Sequence, residues 1–127
     1  MATEILVNDG GAPARILPFV AHHALSGGNI VEMETTGKVK KCADTASQKW
    51  IGYSLVDAAA DGPANIVTGH GVVINALVTG AVASGNSLEI AAADGVLIAG
   101  TTIGEIVAVA VGDDALTSTR YVKVLTR

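Results

Sequence analysis

The sequence predicts an all-β protein: a compact β-sandwich or barrel of short strands, with a pseudo-duplicated half and an extended N-terminal arm. Apolar residues recur with a period of two or in short continuous runs, which is typical of strands. Glycine-containing turns separate these runs at intervals of about 8–12 residues. A segment in the first half of the chain also returns, in similar form, in the second half.

The strand prediction is clearest for residues 72–78, which are rich in β-branched side chains and are bounded by Gly71 and Gly80. In residues 103–111 the odd-numbered positions are predicted to form one face, and the small residues between them let another layer approach closely. The same criteria predict the remaining strands at residues 16–20, 29–34, 38–43, 50–56, 65–68, 87–91, 96–99 and 120–126.

Turn-forming residues connect these strands. Asp94-Gly95 is the strongest hairpin signal in the chain, because glycine accepts the positive φ of a type I′ turn. Thr36-Gly37 indicates a second hairpin, and Asp61-Gly62-Pro63 indicates a further connection. Residues 44–49 and 57–61 are each compatible with one helical turn, which is too short to build a layer.

The internal repeat starts at Gly28-Asn29-Ile30-Val31-Glu32-Met33, which resembles Gly85-Asn86-Ser87-Leu88-Glu89-Ile90 at an offset of 57 residues, from 28 to 85. Each copy continues with a glycine-centred hairpin, an Ile-Gly pair and a valine-containing strand. Two copies are too few for a solenoid. We therefore expect two similar β units that pack on each other with pseudo-twofold symmetry.

The predicted domain organisation is an extended arm over residues 1–18 and a single β domain over residues 19–127. Pro13 and Pro18 disfavour a helix in the arm. Ile5-Leu6-Val7 is a short apolar segment with no obvious hairpin partner in the chain. We expect it to add as a strand to a neighbouring subunit, with Ile5 and Val7 facing one way and Leu6 the other; a disordered tail is the alternative.

The composition favours a protein that assembles with partners. Half of the residues are apolar, but only 3% are aromatic and 16% are charged, so a monomer would expose much aliphatic surface. A net charge of −4 argues against nucleic acid as a direct partner. The lysines at positions 38, 40, 41 and 49 are interpreted as a solvated hairpin face rather than a polyanion site.

Neither a secretory signal peptide nor a membrane span is predicted. The N-terminus lacks a cationic start. Residues 62–88 carry no acid, lysine or arginine, but polar residues and glycines interrupt them. Their longest mainly apolar piece, residues 72–83, is shorter than the roughly 20 residues that a spanning helix requires.

No catalytic, cofactor or metal site is predicted from the sequence. The one cysteine, Cys42, excludes an intrachain disulfide and is expected to be an inert, half-buried thiol. His22 and His23 are adjacent and would point to opposite faces of a strand, so we predict no zinc site there, and none at His70. No serine has a nucleophile-elbow context. Trp50 is either a core residue or an interface anchor.

An ordered series of motifs resembles the head decoration, or capsid cement, proteins of tailed bacteriophages. The resemblance covers about residues 15–127. Its motifs are Gly28-Asn29-Ile30-Val31, Gly37-Lys38-Val39, the segments 43–52 and 57–62, Val67-Thr68-Gly69-His70-Gly71-Val72-Val73, the segment 79–86, Ala93-Asp94-Gly95, Ile103-Gly104 and Val122-Lys123-Val124-Leu125.

The resemblance implies a β-rich, non-enzymatic protein that forms a homotrimer on the outer surface of the virion capsid. There it bridges neighbouring major capsid subunits and stabilises the shell, after synthesis in the host cytoplasm. The residues that we predict at capsid or subunit interfaces are Ile5, Leu6, Val7, Arg15, Phe19 and Trp50.

Two other classes of function remain open at this point. One is a non-viral β-barrel binding or carrier module, since duplicated half-barrels carry biotinyl and lipoyl groups. Such carriers present a modifiable lysine at a hairpin tip between acidic or methionine neighbours, and Gly37-Lys38 lacks that context. The other is a non-catalytic subunit of a larger assembly or enzyme, because fold alone does not fix function.

Overall fold

A computed structural model describes residues 5–8, 15–42, 49–91, 95–101, 106–112 and 118–127, with the backbone alone for residues 6–8. These residues form strands and no helix, which confirms the all-β prediction. The strands are β1 (Leu6–Asn8), β2 (Arg15–Val20), β3 (Ile30–Met33), β4 (Val39–Lys41), β5 (Trp50–Ser54), β6 (Pro63–Thr68), β7 (Val73–Val78), β8 (Ser87–Ile90), β9 (Leu97–Ala99), β10 (Ile106–Ala110) and β11 (Arg120–Thr126).

The strands form two sheets, one in each half of the chain. In the first half the order is β2-β6-β5-β3-β4, and in the second half it is β7-β11-β10-β8-β9, with β1 added on β7. The second sheet closes on itself through a parallel pairing of Val78 with Leu97. The first closes through a parallel bridge between Ala21, which follows β2, and Val39 in β4. Each half is therefore a small closed sheet of five strands.

The two halves repeat the same topology strand for strand, which confirms the duplication expected from the sequence. Backbone hydrogen bonds repeat with it: the N–H of Gly28 donates to Ser54 O, and the N–H of Gly85 donates to Ala110 O, both at 2.8 Å. The turn before each copy repeats too. The side-chain Oδ1 of Asn29 accepts from the N–H of Ser26 at 2.8 Å, as Asn86 Oδ1 accepts from Ala83 at 2.8 Å.

Two apolar clusters form the core. The smaller cluster lies in the first half and consists of Ala21, Leu25, Val31, Val39, Ala64 and Ile66. The larger cluster contains most of the buried apolar residues of the second half together with Ile30, Cys42, Tyr53 and Val67 of the first half and Ile5 of the N-terminal segment. Successive residues Ile30 and Val31 thus enter different clusters, because side chains alternate between the two faces of a strand. This shared larger cluster packs the halves together.

The N-terminal segment belongs to the core of its own chain. Strand β1 pairs antiparallel with β7, Leu6 opposite Ile74, and Ile5 is only 2% exposed within the larger cluster. We expected this segment to pair with a neighbouring subunit, but its partner is β7 of the same chain. No sequence pattern marks a pairing across 68 residues, from 6 to 74. Strand β2 starts at Arg15 and crosses the expected boundary at residue 18.

A β-bulge in β10 separates odd-numbered positions that were predicted to share one face: Val107 is buried, but Val111 is exposed. The register between β10 and β8 shifts between Ile106 and Ala108. Val107, Ala108 and Ala110 are consequently all buried, while Val111 is 45% exposed. An inserted residue of this kind moves every later side chain to the opposite face. Residues 102–105 lie outside the described residues.

The turns follow the predicted chemistry where the structure describes them. Gly37 and Gly95 have φ values of +83° and +71°, as hairpin turns of this kind need. Residues 57–61 form no helical turn: Ala58 pairs with Leu25 in an isolated bridge, and Asp61 has a positive φ of 61°. Residues 44–48 of the other proposed helical turn, and Asp94, lie outside the described residues.

Replacing Ile5 with alanine tests the place of β1 in the core. Because Ile5 is 2% exposed and Ile16 is 47% exposed, we expect Ile5→Ala to lower the free energy of unfolding by about 2–4 kcal/mol and Ile16→Ala by less than about 1 kcal/mol. Chemical denaturation of both variants measures the difference. Equal midpoints for the two variants would show that Ile5 is not a core residue.

Replacing Gly52 with alanine tests the close approach of β5 and β6. A Cβ at this position would lie 2.3 Å from the carbonyl oxygen of Val67, a backbone atom that cannot move aside alone. We expect a loss of about 1–3 kcal/mol of stability in Gly52→Ala. Gly112→Ala is the matched control, because a Cβ there meets nothing within 4 Å. Differential scanning calorimetry compares the two melting temperatures, and equal values would contradict the predicted clash.

Candidate interaction surface

The start of β2 carries consecutive exposed apolar residues. Ile16 and Leu17 are 47% and 38% exposed, and Arg15 beside them is also exposed. Most strands of this chain bury at least one face, but β2 leaves both faces of its first residues open to solvent. We name Arg15, Ile16 and Leu17 the β2 surface. Apolar surface of this kind on a small domain usually marks a binding partner.

The predicted interface residues separate into three groups. Arg15 and Phe19 both lie on β2, where Arg15 is exposed and Phe19 is half-buried against the smaller core cluster. Trp50 is half-buried and packs on the larger cluster, so its ring has both a core contact and a solvent face. Ile5 is buried, and the structure describes only the backbone of Leu6 and Val7. The prediction for Ile5 therefore does not fit this conformation of the chain.

Sequence reasoning missed Ile16, Leu17 and Val20 as exposed residues. Val20 is 42% exposed at the end of β2. The sequence did contain a signal: residues 16–20 are apolar at every position, whereas a strand with one buried face alternates apolar and polar residues. Other exposed apolar residues are Val56, Ile98, Val111, Tyr121 and Leu125.

The outer edge of β2 is open over most of its length. Within the described residues, β2 pairs with β6 on one side and is the terminal strand of its sheet. The N–H of Ala21 donates to Gly62 O on the β6 side, and the N–H of His22 donates to Val39 O on the other side. Because backbone groups alternate along a strand, the N–H of Val20 points to the outer edge. Pro18, on the same side, has no N–H to offer.

The histidines are arranged differently from the prediction. The rings of His22 and His23 stack with centroids 4.1 Å apart, since both residues follow the end of β2 and are not held in a strand. His22 Nδ1 pairs with a carboxylate oxygen of Glu34. Among the residues that the structure describes, no group of three or more His, Cys, Asp or Glu side chains could hold a metal ion.

The lysines of the β3–β4 hairpin pair with acids. Lys38 Nζ lies 2.8 Å from Asp61 Oδ1, and this hydrogen bond lowers the pKa of the exposed Asp61 carboxyl. Lys40 Nζ lies 3.6 Å from Glu32 Oε1. The hairpin thus presents neutralised pairs, which agrees with the interpretation of these lysines as a solvated face.

Two buried groups between the halves have strongly shifted pKa values. Burial, followed by the nearby Glu32 carboxylate, raises the pKa of the Cys42 thiol to about 12. Burial also raises the pKa of Tyr53 well above its ordinary value. In the described part of the chain, the Tyr53 hydroxyl has no hydrogen-bond partner. Both groups are protonated at neutral pH, so neither supplies a nucleophile.

The described residues contain no helix with the length and hydropathy that crossing a bilayer requires.

Comparison with known proteins shows a likeness in fold. No protein-family model matches the chain, and no curated protein matches it. Among solved structures, the crystal structure of the N base of head fiber gp8.5 of bacteriophage phi29 is similar, with a TM-score of 0.72 over 91% of this chain and 95% of that chain. The sequences are 9% identical. At this identity the likeness shows a shared fold.

The raised pKa of Cys42 generates a test of thiol reactivity. A thiol with a pKa of about 12 holds almost no thiolate at pH 8, and this thiol is also fully buried. We expect no reaction of the native protein with Ellman's reagent at pH 8, and reaction of one thiol per chain in guanidinium chloride. Native protein that reacts as fast as the denatured protein would contradict the burial of Cys42.

Proposed function

We propose that this chain is a structural protein of a bacteriophage head, bound as a homotrimer to the outer surface of the capsid. The observation that carries the proposal is the shared fold with the N base of a bacteriophage head fiber, over nearly the full length of both chains. The motif series from residue 15 onward supports it independently, because the resemblance to head decoration proteins came from sequence alone.

In this proposal the protein acts as a cement between major capsid subunits. Its work is mechanical, so it needs a rigid body and a contact surface rather than catalytic groups. Two closed sheets that share a core supply the rigid body. The β2 surface supplies exposed apolar side chains with the cationic Arg15 beside them, and apolar residues and arginine are both common in protein interfaces. The protein would be made in the host cytoplasm and carried in the virion.

The carrier-module alternative has less support from the structure. Lys38 stands at the β3–β4 hairpin, as a modifiable lysine would, but its ammonium group pairs with Asp61 at 2.8 Å. Carrier lysines must reach the active sites of their partner enzymes, and an ion pair disfavours that. The intact mass of the protein purified from its source decides between them: an acyl adduct on a lysine would support the carrier function.

Co-sedimentation with expanded, undecorated capsids tests the proposed function. We expect the wild-type chain to pellet with capsids and Ile16→Asp to lose about tenfold or more in affinity, since the substitution places a charge in an apolar contact. Val56→Asp is the matched control, because Val56 is 44% exposed, close to the 47% of Ile16, and lies outside the β2 surface. Wild-type protein that stays in the supernatant overturns the proposal, and equal loss in both variants overturns the assignment of the β2 surface.

A further inference from the structure

The two halves of the chain contact each other in two places, and in the first of these a turn packs on the edge of a strand. The turn at Gly27-Gly28 of the first half lies against the outer edge of β7 in the second half. The N–H of Leu77 donates to Gly28 O at 3.0 Å, and the hydroxyl of Tyr121 donates to Gly27 O at 2.9 Å. The fit is close: a Cβ on Gly28 would lie 2.8 Å from the Tyr121 ring and 3.0 Å from Asn75 O.

The other side of the junction is a hairpin of the second half on the first half. The N–H of Ile30 donates to Gly95 O at 2.9 Å, and the N–H of Gly95 donates to Cys42 O at 2.7 Å. The side-chain amide of Asn29 also donates to Gly95 O, at 3.3 Å. A Cβ on Gly95 would lie 3.0 Å from Ile30 O. Gly95 is therefore held tightly on the first half.

The repeat supplies a second copy of the first contact, and none of the described residues occupies that copy. Gly85 is the equivalent of Gly28, with φ values of +87° and +88°, and the equivalent of Leu77 is Val20. A Cβ on Gly85 meets nothing within 4 Å, so its turn has no partner of this kind. Val20 is 42% exposed and directs its N–H to the open edge of β2.

The hairpin contact is also duplicated, and its second copy meets no partner in the part of the chain that the structure describes. Gly37, the equivalent of Gly95, stands at the tip of the β3–β4 hairpin, and a Cβ there meets nothing within 4 Å. The residues equivalent to Asn29 and Ile30 are Asn86 and Ser87, which are half-buried where Asn29 and Ile30 are buried. Asn86 keeps the amide side chain that binds the hairpin carbonyl in the first half.

The halves are consequently related head to tail, and the pseudo-twofold relation expected from the repeat is wrong. A twofold axis would place the Gly85 turn on β2 at the same time as it places the Gly28 turn on β7. The structure shows the Gly28 turn on β7, but a Cβ on Gly85 meets none of the described residues within 4 Å. A head-to-tail relation leaves one free surface of each kind at the two ends of the chain.

We propose that a second copy of this chain binds at these free surfaces and repeats the internal junction. The Gly85 turn of one copy lies on the β2 edge of the next and accepts a hydrogen bond from the Val20 N–H. The Gly37 hairpin of that next copy lies on Asn86 and Ser87 of the first. This proposal specifies the contact by which the copies in the proposed homotrimer associate, and it rests on the proposed function only for the number of copies.

Pro18 limits what can bind beside this contact. Its equivalent in the second half is Asn75, whose N–H donates to Ile5 O and so fixes the N-terminal strand on β7. Pro18 has no N–H, so a strand like β1 cannot make the same bond on β2. The Val20 N–H remains, which suits a single turn rather than an added strand. The edge thus accepts the Gly85 turn and discourages unlimited strand addition.

The contact is heterologous, because each copy offers a turn at one end and an edge at the other. Heterologous contacts of one kind form a ring when the rotation closes and a filament when it does not. In a ring, the same junction would alternate within and between chains. The contacts between two copies would then be the same as the contacts between the two halves of one chain.

Asparagine substitutions at the free glycines test the contact without disturbing the fold. Asparagine tolerates positive φ better than other non-glycine residues. Gly37→Asn and Gly85→Asn place a side chain in the proposed interface, at positions that meet nothing within the chain. Gly71→Asn is the matched control, because Gly71 also has a positive φ, of +71°, meets nothing within 4 Å, and lies outside both contacts.

Sedimentation equilibrium of the four proteins measures the outcome. We expect the wild-type chain and Gly71→Asn to be oligomers, and both interface variants to sediment at or near the 12.7 kDa mass of one chain with unchanged circular dichroism. A wild-type chain that is monomeric at millimolar concentration overturns the proposal. So does an oligomer that survives in both Gly37→Asn and Gly85→Asn.

Cross-linking distinguishes head-to-tail contact from a twofold dimer. Pro63 and Ser84 are the equivalents of Tyr121 and Gly27, which touch in the internal junction. We expect a short bis-maleimide to link Pro63→Cys to Ser84→Cys chains when the two are mixed after dissociation, and to link neither variant to itself. Self-linking of Pro63→Cys alone would overturn the head-to-tail arrangement.

The two proposals fail separately. Sedimentation and cross-linking use the purified protein without capsids, so they report on self-association alone. Loss of capsid binding in the wild-type chain with intact oligomers would overturn the proposed function and leave the contact standing. Capsid binding by a chain that is always monomeric would overturn the contact between copies and leave the binding to capsids standing.

Discussion

The outer edge of β7 is the constraint on which the rest of the structure depends. Three N–H groups along this edge, those of Asn75 and Leu77 in β7 and of Thr79 directly after it, each donate to a different segment of the chain. Ile5, Gly28 and Leu97 supply the three carbonyl oxygens, at 2.8, 3.0 and 2.8 Å. A hydrogen bond of this kind contributes about 0.5–1.5 kcal/mol to stability, and together the three fix the N-terminal strand, join the two halves and close the second sheet.

The same edge explains why the halves differ although their topology is the same. In the first half the corresponding strand, β2, keeps an open edge, exposed side chains at Ile16 and Leu17, and a proline at the position of Asn75. Within one chain, only one of the two edges can be covered by a neighbouring half. The uncovered edge keeps backbone groups and apolar side chains accessible to a binding partner.

The buried polar groups between the halves serve the junction rather than chemistry. Asn29 is 2% exposed and uses its side chain twice, to hold its own turn and to bind Gly95 across the junction. Cys42 accepts the N–H of Gly95 through its backbone, while burial keeps its thiol protonated. A buried thiol with a raised pKa resists both ionisation and oxidation.

The sequence by itself determined the all-β class, the positions of ten strands and the duplication, because alternation, turn glycines and the repeated Gly-Asn pair at 28 and 85 are local signals. It could not reveal that β1 pairs with β7, that a bulge changes which side chains of β10 are buried, or that the halves meet head to tail. Those features depend on contacts between residues far apart in the chain, and on which edge is left uncovered. Only the tertiary structure decided them, since a local pattern carries no information about the partner of a strand.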